Sequence, residues 1–124
     1  MNQKNKYVFI VDSSMISANR IFSALGQIAG ILKVDHAATG KEALHKINSN
    51  PPNAILLDIQ LPDMSGANIL QQIKLEHPHM AVIVLTEYPT PYSFKICKKL
   101  GANGYYNKIN ELDMVMEHLQ KLTN

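Results

Sequence analysis

The 124-residue sequence predicts a single α/β domain: a five-stranded parallel sheet, doubly wound, with five helices packed on it. Three observations carry that expectation. Short apolar runs rich in β-branched residues recur, each followed by a segment whose apolar residues have helical spacing. Three of these runs are apolar on nearly every residue, which suits strands covered by helices on both faces. Finally, 46% hydrophobic residues on a chain of this length can bury one core without disulfides or a structural metal. Residues 1–124 leave no linker, repeat or low-complexity tract, so the whole chain reads as one domain.

The first run, Tyr7 to Val11, is followed by Ser13-Ser14, two N-cap candidates, and by a helix with Ala18, Ile21, Phe22, Leu25 and Ile28 on one stripe, stopping near Gly30. The second run, Ile31 to Ala37, alternates through Leu32-Lys33-Val34-Asp35-His36 and fits a sheet edge. Its helix opens at Thr39-Gly40, carries Ala43, Leu44 and Ile47, and cannot continue through Pro51-Pro52. The third run, Ala54 to Leu57, precedes an irregular loop and a helix from about Ser65 with Ile69, Leu70 and Ile73, ended before Pro78. The fourth, Ala81 to Leu85, leads to a short helix with Thr90 as cap, Pro91 in its first turn and Gly101 as its stop. The fifth, Gly104 to Asn107, leads to a helix opened by Asn110 ahead of Asp113, with Leu112, Val115, Met116, Leu119 and Leu122; Met114 and Met116 are read as core.

Composition narrows the function. Twelve basic against ten acidic residues give a net charge of +2, too little for nucleic-acid binding by charge alone. The one cysteine, Cys97, excludes a disulfide framework or a CxxC motif and reads as a buried, inert thiol on the fourth helix. No apolar stretch approaches the roughly 20 residues of a membrane span, and a cytoplasmic location is expected. The five histidines lack metal-ligand spacing and read as solvated, and Lys95, Lys98 and Lys99 as the outer face of helix four.

In a doubly wound sheet, ligands bind beyond the carboxyl ends of the strands, where the strand order reverses. If the order is the flavodoxin-like 2-1-3-4-5, which comes from analogy and not from the pattern, the reversal lies between strands one and three. Asp12 and Asp58 then face each other, with Thr86 at the end of strand four and Lys108 after strand five. Two close carboxylates call for a cation, and oxygen ligands suit Mg²⁺; a lysine and a threonine hydroxyl opposite them suit phosphoryl oxygens. The set fits an acyl phosphate formed on an aspartate. Asp58 is the better nucleophile candidate, because it closes an inner strand and precedes the open loop Gln60-Leu61-Pro62-Asp63-Met64-Ser65-Gly66.

The stretch Leu56-Leu57-Asp58-Ile59-Gln60-Leu61-Pro62-Asp63-Met64-Ser65-Gly66 resembles the phosphoacceptor loop of response-regulator receiver domains. Val11-Asp12, Leu85-Thr86 and Gly101-Ala102-Asn103-Gly104-Tyr105-Tyr106-Asn107-Lys108 resemble the family's other blocks, in the same order. The resemblance implies a phosphoacceptor signalling domain rather than an enzyme. Asp58 would take phosphate from a histidine kinase or phosphotransfer protein. Asp12, Asp58 and the backbone carbonyl of Gln60 would hold Mg²⁺. Thr86 and Tyr105 would act as switch residues, and Lys108 would be the family's lysine. The face of helix four, strand five and helix five would meet an effector domain or a second copy.

Departures from the family pattern are informative. Ser13 stands where a second acid is usual, so the acid set loses one charge; the serine would bind a cation weakly or through water. Glu87 follows Thr86 where a small residue is usual, and would either repel a phosphodonor or reach toward the cation. Ile109 replaces a common proline; a cis bond before isoleucine costs about 3 to 4 kcal/mol, so a trans bond is expected. One large subgroup with helix-turn-helix outputs often lacks this proline too. Gln60 and Tyr88 lie at the rim, two residues after Asp58 and Thr86.

Blander readings stand beside these. Tyr105 also fits a half-buried packing tyrosine, and Asp63 either caps the third helix, faces solvent, or lies near the cation. A degenerate receiver that binds partners without phosphorylation is the alternative function, motivated by Ser13 and Glu87. A phosphohydrolase or flavin carrier fits poorly: Asp12-Ser13-Ser14 lacks the second acid of Asp-x-Asp, and no glycine lies near Ser17 for a flavin phosphate loop.

Overall fold

The computed structural model describes residues 6–123. Five strands, β1 (Lys6–Val11), β2 (Ile31–Ala37), β3 (Ala54–Asp58), β4 (Ala81–Thr86) and β5 (Gly104–Asn107), alternate with α1 (Met15–Leu25), α2 (Gly40–Ser49), α3 (Gly66–Glu76), α4 (Pro91–Lys99) and α5 (Leu112–Thr123). All strands pair in parallel, in the order β2-β1-β3-β4-β5, as expected.

The two-residue period of the strands divides the core into two layers. Phe9, Val11, Ile55, Leu57, Val82 and Val84 pack with α2, α3 and Cys97 of α4 on one face. Val8, Ile10, Leu56, Ile83 and Leu85 pack with Ala18, Ile21 and Leu25 of α1 and with Val115 and Leu119 of α5 on the other. β3 is buried at every position, as a continuous apolar run between two helical layers must be. β2 lies at the edge, as its alternation predicts.

The helix starts follow their capping residues. The hydroxyls of Ser14, Thr39, Ser65 and Thr90 accept from Ser17, Glu42, Asn68 and Ser93 N–H groups, satisfying donors that the first helical turn leaves free. Gly101 adopts φ +99° after α4, a conformation side-chain-bearing residues resist, and so stops the chain there.

Four expectations need correction. α1 ends at Leu25, and a turn rather than helix leads to Gly30. Phe22 and Met114 are exposed, at 57% and 51%. Phe22 lies at the edge of the α1 stripe, about 40° beyond Ala18, and Met114 about 100° round α5 from Val115, so the stripe that meets the sheet is narrower than the run of apolar letters. Asn110 does not open α5; Asn107 Oδ1 accepts from the Ile109 and Asn110 N–H groups and shapes that turn. Three of the histidines are engaged: His36 with the Asp12 carbonyl, His77 with Asn48, and His118 with Tyr106. Cys97 is buried, and burial pushes its thiol pKa up, consistent with an inert role.

Candidate functional site at the carboxyl rim of the sheet

β1 and β3 are neighbours, so Asp12, just past β1, and Asp58, the last residue of β3, lie side by side. Lys108 comes to them from beyond β5, and its backbone N–H is anchored on the Thr86 carbonyl at 3.0 Å. Its Nζ lies 2.5 Å from Asp58 Oδ2 and 3.2 Å from Asp12 Oδ2. Asp12, Asp58, Thr86 and Lys108 are all buried, at 1%, 3%, 1% and 3% exposure; charges so shielded persist only when paired.

The remaining oxygens are held by the chain. Asp58 Oδ1 accepts from Gln60 N–H at 2.8 Å, and Asp12 Oδ1 from Ser14 N–H at 2.8 Å. Ser17 Oγ donates to Asp12 Oδ2 at 2.5 Å, a positioning contact that the sequence reading missed. Its only trace in the sequence is a hydroxyl in the first turn of the helix that follows the acid. Arg20 of α1 was also unforeseen: its guanidinium approaches the carbonyls of Lys108 and Ile109 at 3.5 and 3.3 Å and ties the lysine's loop to α1. The Lys108–Ile109 bond is trans, as the isoleucine predicts.

Burial pushes the Asp58 carboxyl pKa above the ordinary carboxylate range, against the Lys108 ammonium and the Gln60 N–H, which favour the anion. Burial also opposes the charge of Lys108, but the hydrogen bond and charge of Asp58, with Asp12, outweigh it and hold the ammonium above its usual value.

The other expected residues sort by position. Thr86 Oγ accepts from Tyr88 N–H at 3.1 Å, a bond within the β4–α4 loop. Tyr105 is partly buried; its hydroxyl accepts from Thr90 N–H at 3.3 Å, and its ring meets Phe94 edge-on at 5.5 Å. That links it to α4 and not to the acids. Ser13 is exposed beside Asp12. Glu87, half exposed, reaches back until Oε2 lies 4.0 Å from Lys108 Nζ.

Asp63 corrects two of its readings. It is exposed, as the solvent reading has it, but it neither caps α3 nor joins the acids: its two oxygens accept from Gly40 and Lys41 N–H at 2.8 and 2.9 Å, fastening the β3–α3 loop to the start of α2. Those bonds hold its carboxyl below the ordinary range. A depressed native pKa means stability present above the unfolded value of about 3.9 and lost as pH falls through the native one. Asp63→Asn, which keeps an acceptor but not the charge, therefore should unfold at lower urea than wild type at pH 7. The gap should narrow on going to pH 3; a gap of constant size at both pH values would contradict this.

Two inner carboxylates, a buried lysine and a strand-end threonine thus share one rim of the sheet. The response regulator receiver domain family matches the chain over residues 8–120. The chain belongs to that family. It is a response-regulator receiver domain, the signalling module of two-component systems. A receiver domain protein of Methanospirillum hungatei JF-1, described as CheY-like, shares 30% identity and a TM-score of 0.83, over 94% of this chain and 93% of that one. The sporulation initiation phosphotransferase F of Bacillus subtilis (strain 168) is 28% identical, covering 94% of this receiver domain and 93% of the relative. The transcriptional regulatory protein YvfU of the same organism, described as uncharacterized, is 29% identical; this receiver domain spans only 57% of its length. No helix among the described residues is long and apolar enough to cross a membrane.

Proposed function

We propose that this domain carries a phosphoryl group on Asp58, received in the cytoplasm from a histidine kinase or phosphotransfer protein, and that the group changes the surface offered to a partner. The observation that carries the reading is the contact of Lys108 with both Asp12 and Asp58 in one buried pocket. The relative of nearly equal length that is named a phosphotransferase supports the same chemistry.

The donor set suits Mg²⁺. Carboxylates of Asp12 and Asp58 and the Gln60 carbonyl are hard oxygen ligands, with the exposed Ser13 hydroxyl as a weak or water-mediated addition. When bound, the ion would neutralise charge developing on the phosphoryl oxygens. The chain's own residues do the rest. Asp58 supplies the attacking oxygen while Gln60 N–H holds its other one. Lys108 offers an ammonium to a phosphoryl oxygen, and Thr86 a hydroxyl once it turns from the Tyr88 N–H. Because Thr86 ends β4 where the loop to Thr90 begins, and Thr90 N–H bonds the Tyr105 hydroxyl, a shift of Thr86 is passed to the face of α4, β5 and α5. An effector domain or a second copy would read that face, a ligand-driven shift between two packings. The described residues, 6–123, form one such unit.

The test is transfer of radiolabelled phosphate from a small donor with Mg²⁺: labelled wild type and unlabelled Asp58→Asn. The exposed, neutral Ser13 favours a second reading, a receiver that binds partners without phosphorylation. Wild type unlabelled at saturating Mg²⁺, with partner binding unchanged by Asp58→Asn, would establish that reading instead.

A further inference from the structure

We infer that Glu87 sets the specificity for the phosphodonor, turning away small free dianions and favouring donors that bring their own positive charge. This rests on the phosphoacceptor reading of Asp58. Three carboxylates surround Lys108 Nζ: Asp58 Oδ2 at 2.5 Å, Asp12 Oδ2 at 3.2 Å and Glu87 Oε2 at 4.0 Å. Asp12 and Asp58 are buried, whereas the Glu87 side chain is 41% exposed, so Glu87 is the acid that faces a donor arriving from solvent. It also draws on the cation that a phosphoryl oxygen needs. The guanidinium of Arg20 does not make up the deficit, because it points to the Lys108 and Ile109 carbonyls. Lys46 is committed to Asp35 and Glu42.

The transfer is balanced for two donors of different charge. With acetyl phosphate, a dianion, the Asp58 carboxylate oxygen bonds to phosphorus as the bond to the acetate oxygen breaks, and acetate leaves with that electron pair. With phosphoramidate, a monoanion carrying its proton on nitrogen, the phosphorus–nitrogen bond breaks and ammonia leaves. Both give the same aspartyl phosphate. Like charge at the mouth penalises the first donor more, by a factor that falls with salt. A protein donor that lays a Lys or Arg beside Glu87 meets a counter-charge and no such penalty.

The experiment measures labelling rates of wild type, Glu87→Gln, Glu87→Ala and Asp58→Asn with each donor, at low and high salt and over a range of Mg²⁺. Gln keeps the size of the side chain and removes only its charge. Expected at low salt is a gain of about tenfold for Glu87→Gln with acetyl phosphate and about threefold with phosphoramidate, both shrinking toward wild type near 1 M salt. Glu87→Ala should match Glu87→Gln. Equal gains for both donors at every salt, or a gain in the alanine variant alone, would mean that size matters and would overturn the proposal. So would slower labelling of Glu87→Gln with a higher Mg²⁺ requirement, which would make Glu87 a cation ligand. Labelling lost in Asp58→Asn but unchanged in Glu87→Gln would leave Asp58 as acceptor and defeat the Glu87 role alone. No labelling of any variant by either donor would defeat both.

Discussion

Lys108→Met should destabilise the domain by about 3 to 5 kcal/mol at neutral pH, the range for removing one partner of a buried ion pair. Methionine fills the stem's volume, so packing changes little and the loss is electrostatic. Asp12 and Asp58, each buried, would face one another with no counter-charge. Urea unfolding checks this: with a slope of about 1 to 3 kcal/mol per molar, the midpoint should drop by one to a few molar, about, at unchanged slope. The pH dependence has a definite sign. Asp58 is already pushed up by burial against the pull of Lys108, and losing the lysine raises it further. The native variant then binds a proton that the unfolded chain, with a carboxyl pKa of about 3.9, does not. The deficit relative to wild type is therefore largest at neutral pH and shrinks as pH falls through the raised native value. In wild type, the raised Lys108 value means the opposite window: its stabilisation is intact below about pH 10.4 and lost as pH climbs through the native value. A Lys108→Met protein as stable as wild type at pH 7 would show that the two acids carry no mutual charge penalty.

Gly66→Ala is the second large effect, from sterics alone. A Cβ at Gly66 would lie 2.2 Å from Ile59 Cα, 2.7 Å from its Cβ and 2.9 Å from its carbonyl carbon. The obstacle is mostly backbone, which cannot swing aside as a side-chain end can. The same approach lets Gly66 N–H reach the Ile59 carbonyl at 3.2 Å and closes the bridge between Gln60 and Ser65. Alanine at this first helical position should lower stability by about 3 kcal/mol, the upper end of overpacking losses, and the melting temperature by roughly 10 °C. The strain falls on Ile59 and Gln60, so the Gln60 N–H that holds Asp58 Oδ1 would move with it, and labelling of Asp58 should slow. Gly26→Ala is the control. Its Cβ would meet one atom, Ser23 O at 3.3 Å, on helical backbone, and should change stability by no more than about 0.5 kcal/mol. Equal melting temperatures for the two variants would mean that the β3–α3 loop yields freely.

Much of the site was legible because ligand chemistry in a doubly wound sheet concentrates at the carboxyl ends of strands, and strand ends can be found from local pattern. Asp58 closes a run with no polar residue in it, and Thr86 closes another, so their place on the rim follows from alternation of runs and helices. The contacts that fasten these residues and their loops to the rest of the chain were not legible. Ser17 on Asp12, Arg20 on the Lys108 loop and Asp63 on the start of α2 join residues whose sequence neighbours give no hint of the partner. The exposure of Phe22 and Met114 was misjudged for a related reason: helical period locates a stripe, but the neighbouring strands decide how wide a stripe is covered.

The sequence by itself determined the elements, their sequence order, the inner or edge character of the strands and the residues able to carry phosphoryl chemistry. All of these are written in periods of two and 3.6 residues and in side-chain type. Tertiary structure alone decided which strands lie side by side, and with them the meeting of Lys108 and Asp58 across 50 positions of chain and the return of Glu87 to the same ammonium. Backbone periodicity is blind to strand order, because a parallel strand of the same composition fits several neighbours; only the joint packing of both helical layers selects one.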